Sequence, residues 1–316
     1  MSIILRSIAK YVPEKIVTNH DLSKYLDTSH EWIKERTGMV ARRIAAEGEL
    51  TSDMAAAAGK EAIKRAGLQN SDIDCLILAT CCPDQPSPST ACITQNKIGL
   101  NGITAFDISA MCSGFLYGLQ VSQGLVSSGI YKNVLLIGAE KISGILDWTD
   151  RSTCILFGDG AGATVVSSGT NAEGHELLGT YSGADGQYKG LLEIPGRPGD
   201  KHPSFVQMQG KDIFKHAVRH LLDASAQVVK QVGISEKDIT WMVPHQANIR
   251  ILQTTAEKFN IPIEKVILNL EKYGNTSAAS IPIALEEGAS NFKKGDIILC
   301  PAFGGGITWA ATLIKW

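Results

Sequence analysis

One cysteine of the chain stands where it could act as a nucleophile. Cys112 lies in the segment DISAMCSGF, and the apolar segment SGFLYGLQVSQGLVSSG that follows predicts a buried helix beginning just after it. Unpaired N–H groups and the positive end of the dipole at a helix start lower the pKa of a thiol and favour the nucleophilic thiolate. A cysteine among apolar residues is otherwise a small core side chain, so both interpretations stay open at this point.

Two further segments carry side chains that could act beside a thiol. His245 ends the predicted buried strand of WMVPHQANIRIL, and Asn275 lies in YGNTSAAS before a predicted helix. Each has a plain structural interpretation as well, because a lone histidine is often a satisfied core residue and an asparagine at a helix start is often a cap. The sequence therefore supplies a thiol, an imidazole and an amide without fixing their roles.

Several familiar sites are excluded by the surrounding pattern. The glycine-rich segments GDGAGA (158–163) and FGGGITW (303–309) run into strands, whereas a dinucleotide or phosphate loop requires a helix after its glycines. No carboxylate or histidine pair has ligand spacing, and no GxSxG elbow is present, so we predict no metal and no serine hydrolase site. The glycines at 304–306 are expected to bring backbone N–H donors close to the centre of the molecule.

Composition limits the class of protein and the kinds of partner that the chain can have. The 316 residues are 44% hydrophobic and 20% charged with a net charge of −2, which suits a compact core and gives no field for nucleic acid or anionic membrane. Seven cysteines without CxxC pairs argue against a disulfide framework. No apolar window of about 18 residues and no signal-peptide pattern are found, so we predict a cytoplasmic protein without a membrane span.

The elements that must position these residues form an internal repeat. AIKRAGLQNSDIDCLILATC (62–81) and VVKQVGISEKDITWMVPHQA (228–247) share one design, a helix end, a glycine, a polar loop and a buried strand. Later elements repeat in the same order, and GNTSAAS (274–280) corresponds to the turn that holds Cys112. We predict strands at 73–80, 132–140, 163–168, 239–245, 296–302 and 307–316, and helices at 52–67 and 212–233, the latter capped by Asp212. Two α/β halves, 1–170 and 171–316, sharing one core imply a five-layered α/β/α/β/α arrangement.

At these residues the chain resembles a known family. DISAMCSGF, GDGAGA, PHQANIRI, GNTSAASIP and FGGGITWAA resemble, in order and spacing, motifs of β-ketoacyl-acyl carrier protein synthase III, and residues 27–45 are similar to its N-terminal signature. The resemblance covers essentially the whole chain. It implies the duplicated thiolase fold, in agreement with the repeat, and makes Cys112 the nucleophile.

The resemblance also implies a reaction. Cys112 would take an acyl group from acyl-CoA, with the backbone N–H groups of Cys112 and Gly305 forming the oxyanion hole. Malonyl-acyl carrier protein would then lose CO₂, and His245 and Asn275 would stabilise the enolate that attacks the acyl-cysteine. The product would be a 3-oxoacyl-acyl carrier protein that starts a fatty acid. No metal and no redox cofactor are needed, since CoA enters only as part of a substrate.

Further positions follow from the same resemblance. Trp32 and Arg151 would sandwich the CoA adenine, and Arg36 would meet its phosphates. The implied CoA contacts are Thr28, Trp32, Arg36, Arg151, Phe157, Met208, Gly210, Phe214, Ala247 and Asn248. Lys215, Arg250 and Lys258 would form a basic rim for the acidic carrier protein. In the family a loop reaches across a homodimer to close the partner's acyl pocket; here it carries Ser87 where relatives specialised for acetyl often have a bulky aromatic, which predicts longer primers.

Two alternatives remain beside this interpretation. A thiolase-fold acyltransferase or condensing enzyme of a secondary pathway would keep Cys112 and His245, whereas both His245 and Asn275 are wanted for an enolate. A non-catalytic protein of the same fold would have lost the thiol or the imidazole, and neither is lost here.

Overall fold

Most strands of the chain join in a single sheet. The structure is a computed structural model that describes residues 2–196 and 204–316. The strands are β1 (Ser2–Tyr11), β2 (Lys15–Thr18), β3 (Ala41–Ile44), β4 (Cys75–Ala79), β5 (Thr104–Ile108), β6 (Asn133–Glu140), β7 (Gly160–Gly169), β8 (His175–Ala184), β9 (Leu192–Glu193), β10 (Gln207–Met208), β11 (Trp241–Met242), β12 (Ile297–Gly304) and β13 (Thr308–Lys315). The helices are α1 (Asn19–Leu22), α2 (His30–Thr37), α3 (Thr51–Arg65), α4 (Thr90–Ile98), α5 (Gly114–Ser127), α6 (Gly210–Val232), α7 (Ile249–Lys258), α8 (Leu270–Tyr273) and α9 (Ser280–Gly288).

The strand order shows the internal repeat. The sheet runs β11-β12-β13-β8-β1-β7-β6-β4-β5, and its two halves meet where β1 and β8 pair antiparallel over two residues. Going outward from that seam, β1-β7-β6 and β8-β13-β12 are antiparallel, whereas β6-β4 and β12-β11 are parallel. The same pairing pattern on both sides confirms the predicted duplication.

Helices cover the sheet in layers that put α5 at the centre. On the outside, α3 packs against β1, β6 and β7 of the first half, and α6 packs against β8, β12 and β13 of the second. The central helix α5 contacts β4, β6 and β7 as well as β8 and β13, and α9 packs against β1 and β7. One apolar cluster joins residues of α5, α9 and both halves of the sheet, among them Leu119, Ile281 and Cys300. The five-layered arrangement predicted from the sequence is confirmed.

Some predicted boundaries differ for local reasons. The strand predicted at 239–245 is only Trp241–Met242 by pairing, because Pro244 has no N–H to donate, although His245 N–H still bonds Pro301 C=O at 2.9 Å. The helix predicted from Asp212 begins at Gly210 after Gln209, so Asp212 lies in its first turn and is not the cap. The long strands β1 and β8 were not predicted. The division at residue 170 stays a prediction.

Among the helices of the described residues, none has the length and apolar character needed to cross a bilayer.

Candidate active site

Cys112 lies in a tight turn directly before the central helix. A single helical turn, Met111–Ser113, precedes α5, and Met111 has the positive φ of 44°, which non-glycine residues adopt rarely. The Cys112 side chain is only 4% exposed. Its predicted place at the start of a buried helix is confirmed.

The second half of the chain builds the same turn opposite Cys112. A helical turn, Ser277–Ala279, precedes α9, and Ser277 has φ of 48°. In both turns the third residue donates its N–H to the residue before the turn, from Ser113 to Ala110 at 3.1 Å and from Ala279 to Thr276 at 3.0 Å. The two turns lie in contact, as the repeat predicts, so Ser277 stands close to the thiol.

His245 is buried as a neutral imidazole. Its Nδ1 lies 2.7 Å from the hydroxyl of Ser280, the first residue of α9, and the side chain is 3% exposed. Burial lowers the pKa of His245 to about 3, so the ring carries one proton at neutral pH. With Ser280 donating to Nδ1, that proton sits on Nε2, and the ring presents a hydrogen-bond donor on its other side.

Asn275 is held on three sides by backbone. Its N–H donates to Leu156 C=O at 2.8 Å, and its own C=O accepts from Gly158 at 3.1 Å. Its side-chain Oδ1 accepts from the N–H of Ser277 at 2.8 Å, which fixes the amide orientation. The amide nitrogen is therefore the end left to donate to a neighbouring group.

The electrostatics of the thiol differ from the sequence-based prediction. Burial raises the pKa of Cys112 to about 12, with Cys81 and Glu140 raising it further, while hydrogen bonds with Ser277 and Asn275 lower it. We predicted a lowered pKa from the helix start alone. In the free protein the loss of water around the sulfur outweighs that effect.

The glycine-rich hairpin approaches the backbone of Cys112. A Cβ atom added to Gly304 would lie 2.9 Å from the Cys112 backbone nitrogen and 3.1 Å from Ala110 oxygen. The hydroxyl of Thr308 lies 3.1 Å from the same oxygen, as its donor. The hairpin thus approaches the centre closely, as expected, whereas the oxyanion role of Gly305 stays a prediction.

One cavity of about 340 Å³ reaches the three candidate catalytic residues. Cys112, His245 and Asn275 all line it. Nine of the ten positions predicted to contact CoA line it too: Trp32, Arg36, Arg151, Phe157, Met208, Gly210, Phe214, Ala247 and Asn248. Thr28 is absent from this lining.

The guanidinium groups of Arg36 and Arg151 each lie over the Trp32 ring, 4.8 Å from its centre. Arg151 and Trp32 are therefore in direct contact.

The remaining predicted positions lie at the surface. Lys215 and Arg250 are exposed and stand 3.9 Å from Asp212 and 3.7 Å from Glu35, respectively. Lys258, near the end of α7, is exposed as well. Ser87 is exposed in the loop between β4 and α4 and does not line the cavity.

Sequence reasoning missed several groups around the thiol. Ser277 and Ser280 are ordinary small residues of the repeat and gave no signal beyond their place in GNTSAAS. Glu140, the last residue of β6, is fully buried beside Cys81 and Cys82, and its carboxylate accepts a hydrogen bond from the Ser277 hydroxyl at 3.0 Å. No metal site was predicted there because these ligands come from two strands and have no sequence spacing in common.

Comparisons with known proteins identify the family of the chain. Residues 106–186 match the family model for 3-oxoacyl-[acyl-carrier-protein] synthase III, and residues 229–316 match the model for its C-terminal part. A β-ketoacyl-[acyl-carrier-protein] synthase III of Bacillus anthracis is 46% identical over 100% of this chain and 99% of its own length. One from Caldanaerobacter subterraneus is 48% identical over 97% and 95%. The crystal structure of the Aquifex aeolicus enzyme of that name matches with a TM-score of 0.94, 46% identity and coverage of 99% and 100%. The chain therefore belongs to the β-ketoacyl-acyl carrier protein synthase III family.

Proposed function

We propose that this acyltransferase joins an acyl-CoA primer to malonyl-acyl carrier protein by decarboxylative Claisen condensation, which starts a fatty acid. One observation carries the proposal. Over residues 2–196 and 204–316, the cavity lining holds Cys112, His245 and Asn275 but no Asp or Glu. A lining without a carboxylate base, in which an imidazole and an amide are placed to donate hydrogen bonds, favours a carbanion formed by loss of CO₂ over one formed by proton removal from carbon.

In the first half-reaction the sulfur of Cys112 attacks the thioester carbonyl of the acyl-CoA. The S–acyl bond of the CoA breaks as the new one forms, and the CoA thiolate takes up a proton equivalent to the one that Cys112 gives up. The oxyanion lies within reach of the Cys112 N–H, with Gly305 N–H as the second donor. The close packing of the glycine hairpin against Cys112 supports this role.

In the second half-reaction malonyl-acyl carrier protein replaces CoA. The bond to the carboxylate breaks and CO₂ leaves, so that its electron pair becomes the enolate of the thioester. Nε2 of His245 and Nδ2 of Asn275 donate to the enolate oxygen, and the orientations that Ser280 and Ser277 impose on them support this role. The carbanion attacks acyl-Cys112, and the thiolate of Cys112 leaves with the electron pair of the broken bond.

The outer cavity suits a CoA thioester. Trp32 offers a flat ring, and Arg36 and Arg151 offer positive charge for the phosphates at the exposed end. Arg151 has to swing off Trp32 for an adenine to enter between them. The apolar lining that includes Phe157, Met208 and Phe214 suits the pantetheine arm. No metal and no redox cofactor enter either half-reaction.

The oligomeric state, the cellular location, the carrier-protein surface and the primer length are inferred from the family. We infer a homodimer in the cytoplasm, an acidic carrier protein recognised by Lys215, Arg250 and Lys258, and primers longer than acetyl because of Ser87. The relatives at 45–48% identity are synthase III enzymes, which supports fatty acid initiation over a secondary pathway.

Intact-protein mass spectrometry after incubation with a panel of acyl-CoA thioesters tests the proposal. We expect one acyl adduct on the wild type and on Cys92→Ser, a matched cysteine control, and none on Cys112→Ala. His245→Ala and Asn275→Ala should still acylate but should not release CO₂ from malonyl-acyl carrier protein. An adduct that survives Cys112→Ala, or normal condensation by both other variants, would show that the roles are wrong.

A further inference from the structure

Two thiols and a carboxylate that the reaction does not use lie together beside the active site. Cys81 and Cys82 follow the end of β4, and Glu140 is the last residue of β6, the parallel neighbour of β4. The carboxyl ends of the two strands therefore bring these side chains to one point. The ligand atoms of all three lie within 4.8 Å of one another, and we refer to them as the Cys81–Cys82–Glu140 cluster.

The distances within the cluster match the edges of a tetrahedral metal site. The two sulfurs are 3.9 Å apart, and the sulfur of Cys81 lies 3.4 Å from the carboxylate oxygens of Glu140. In a tetrahedral zinc site with bonds of about 2.3 Å to sulfur and about 2.1 Å to oxygen, sulfurs are about 3.8 Å apart and sulfur and oxygen about 3.6 Å. These two pairs already have the spacing of such a site, and the Cys82 sulfur and a Glu140 oxygen, which lie within 4.8 Å of each other, have to approach to complete it.

The carboxylate in the cluster is buried without a cation. Glu140 is 0% exposed, and within residues 2–196 and 204–316 no Lys, Arg or His nitrogen lies at ion-pair distance from it. Its oxygens accept hydrogen bonds from Thr80 Oγ1, Cys81 N–H and Ser277 Oγ, each at 3.0 Å. A buried carboxylate is ordinarily paired with a cation or bound to a metal. Here only neutral donors face it, and the remaining lone pairs are available to a metal ion.

The cluster connects to the catalytic thiol through one hydroxyl. Ser277 Oγ lies 3.0 Å from Glu140 and 3.9 Å from the Cys81 sulfur, and the turn that Ser277 begins packs against the turn that holds Cys112. An ion held by the cluster would compete for the carboxylate oxygen that now orients this hydroxyl. Occupancy of the cluster should therefore disturb Cys112 without blocking the cavity.

We propose that Cys81, Cys82 and Glu140 bind one thiophilic divalent cation of the Zn²⁺ class, and that the bound ion inhibits the enzyme reversibly. Both thiols and the carboxyl bind in their deprotonated forms, and the displaced protons pass to solvent. Three negative groups offset by two positive charges leave one negative charge, and water or the Ser277 hydroxyl fills the fourth position. The binding does not depend on the proposed function; only the inhibition does.

Metal titration of the full chain tests the binding. After treatment with a chelator, wild-type protein is titrated with Zn²⁺ or Cd²⁺, and bound metal is measured by elemental mass spectrometry, with the ultraviolet band of cadmium thiolate as a second readout. We expect one equivalent per chain for the wild type and for the matched control Cys92→Ser. Cys82→Ser should bind more than about 100-fold more weakly, because it loses a direct ligand. Glu140→Gln, checked by circular dichroism, gives a second test if Cys82→Ser folds poorly.

Activity measurements test the inhibition. Metal-free Cys82→Ser should condense at the wild-type rate, since Cys82 does not line the cavity. It should keep that rate at Zn²⁺ concentrations that stop condensation by the wild type. A chelator should restore the wild type. Binding retained in Cys82→Ser but lost in Cys112→Ala would assign the ion to the catalytic thiol and overturn the proposal, as would no bound metal at all. Metal bound at the cluster without loss of activity would overturn the inhibition. Failure of the wild type to acylate with any acyl-CoA would count against the proposed function while leaving the metal stoichiometry readable.

Discussion

A neutral imidazole can donate a hydrogen bond from only one of its two nitrogens. In His245 the hydroxyl of Ser280 lies 2.7 Å from Nδ1 and leaves the proton on Nε2 when it acts as the donor, and burial keeps the ring neutral by lowering its pKa to about 3. Asn275 is oriented in the same manner by the N–H of Ser277. Ser277 begins the turn that mirrors the one holding Cys112, and Ser280 follows that turn directly as the first residue of α9, so one segment carries the proposed nucleophile and the other orients the two proposed donors.

Ser280→Ala tests the first of these supports. Without the hydroxyl, part of the population carries its proton on Nδ1 and presents an acceptor to the enolate. We expect decarboxylation to slow by about threefold to tenfold, corresponding to a hydrogen bond worth about 0.5–1.5 kcal/mol, with acylation of Cys112 unchanged. Single-turnover rates of the two half-reactions measure this. Ser7→Ala, which removes a buried hydroxyl bonded to Ala62 C=O, serves as the control. Equal slowing of both half-reactions would argue for a merely structural role.

The residues that we propose for the chemistry can be predicted from sequence more readily than those that orient them. Cys112, His245 and Asn275 stand in distinctive motifs, and the structure brings all three to one cavity. Ser277 and Ser280 act through contacts across the molecule, with Ser280 35 positions from His245, so local sequence gives no sign of them. The pKa of Cys112 was predicted in the wrong direction because the sequence indicates a buried helix start but not that the loss of water around the sulfur outweighs the effect of the helix dipole.

At the scale of elements, the turn before α5 and the hairpin between β12 and β13 form one unit. Gly304 lies so close to the backbone of Cys112 and Ala110 that no side chain fits between them. The Thr308 hydroxyl donates a hydrogen bond to Ala110 C=O, which holds the hairpin against the turn. The close approach was predicted correctly from the glycines at 304–306. A strand follows them, which excludes a phosphate loop and leaves close backbone packing as the reason for the glycines. The strand before His245 was predicted too long because the pattern of apolar residues does not register the missing N–H of Pro244.

Gly304→Ala should therefore damage the first half-reaction. Its Cβ would lie 2.9 Å from the Cys112 nitrogen and 3.0 Å from the Thr308 hydroxyl, so the turn has to shift and the oxyanion loses a donor. We expect acylation by acyl-CoA to fall by about 100-fold, the usual cost of one such donor. Gly124→Ala in α5 meets nothing within 4 Å and should instead stabilise the fold by about 0.5–1 kcal/mol with normal acylation. Rapid-quench acylation and denaturant unfolding measure the two outcomes, and an unimpaired Gly304→Ala would contradict the close packing.

At the scale of the molecule, the repeat explains why the sequence predicted the layers but not the seam. Apolar runs identify buried strands, and their repetition in order implies two similar halves. The pairing of β1 with β8 joins residues far apart along the chain, Ile4 with Glu176 and Leu5 with His175. Because only two residue pairs are involved, neither strand has a sequence pattern that indicates its partner. The site lies where α5 and α9 meet between the halves, so neither half can assemble it alone.

Primer length depends, in the proposed homodimer, on a loop that one chain contributes to the other. Ser87 is exposed on one chain and outside its cavity, so it can affect the primer only if its loop closes the pocket of a second copy. We expect sedimentation to show a dimer and wild-type enzyme to accept octanoyl-CoA as well as acetyl-CoA. Ser87→Phe should keep the acylation rate with acetyl-CoA but lower the rate with octanoyl-CoA by at least about tenfold. The ring would fill the space of several methylenes of the longer chain, and each methylene that the pocket cannot accommodate costs about 1 kcal/mol or more. Gln85→Phe places the same ring two residues away and should leave the profile unchanged. Strict acetyl preference in the wild type, or a monomer, would rule out this role for the loop.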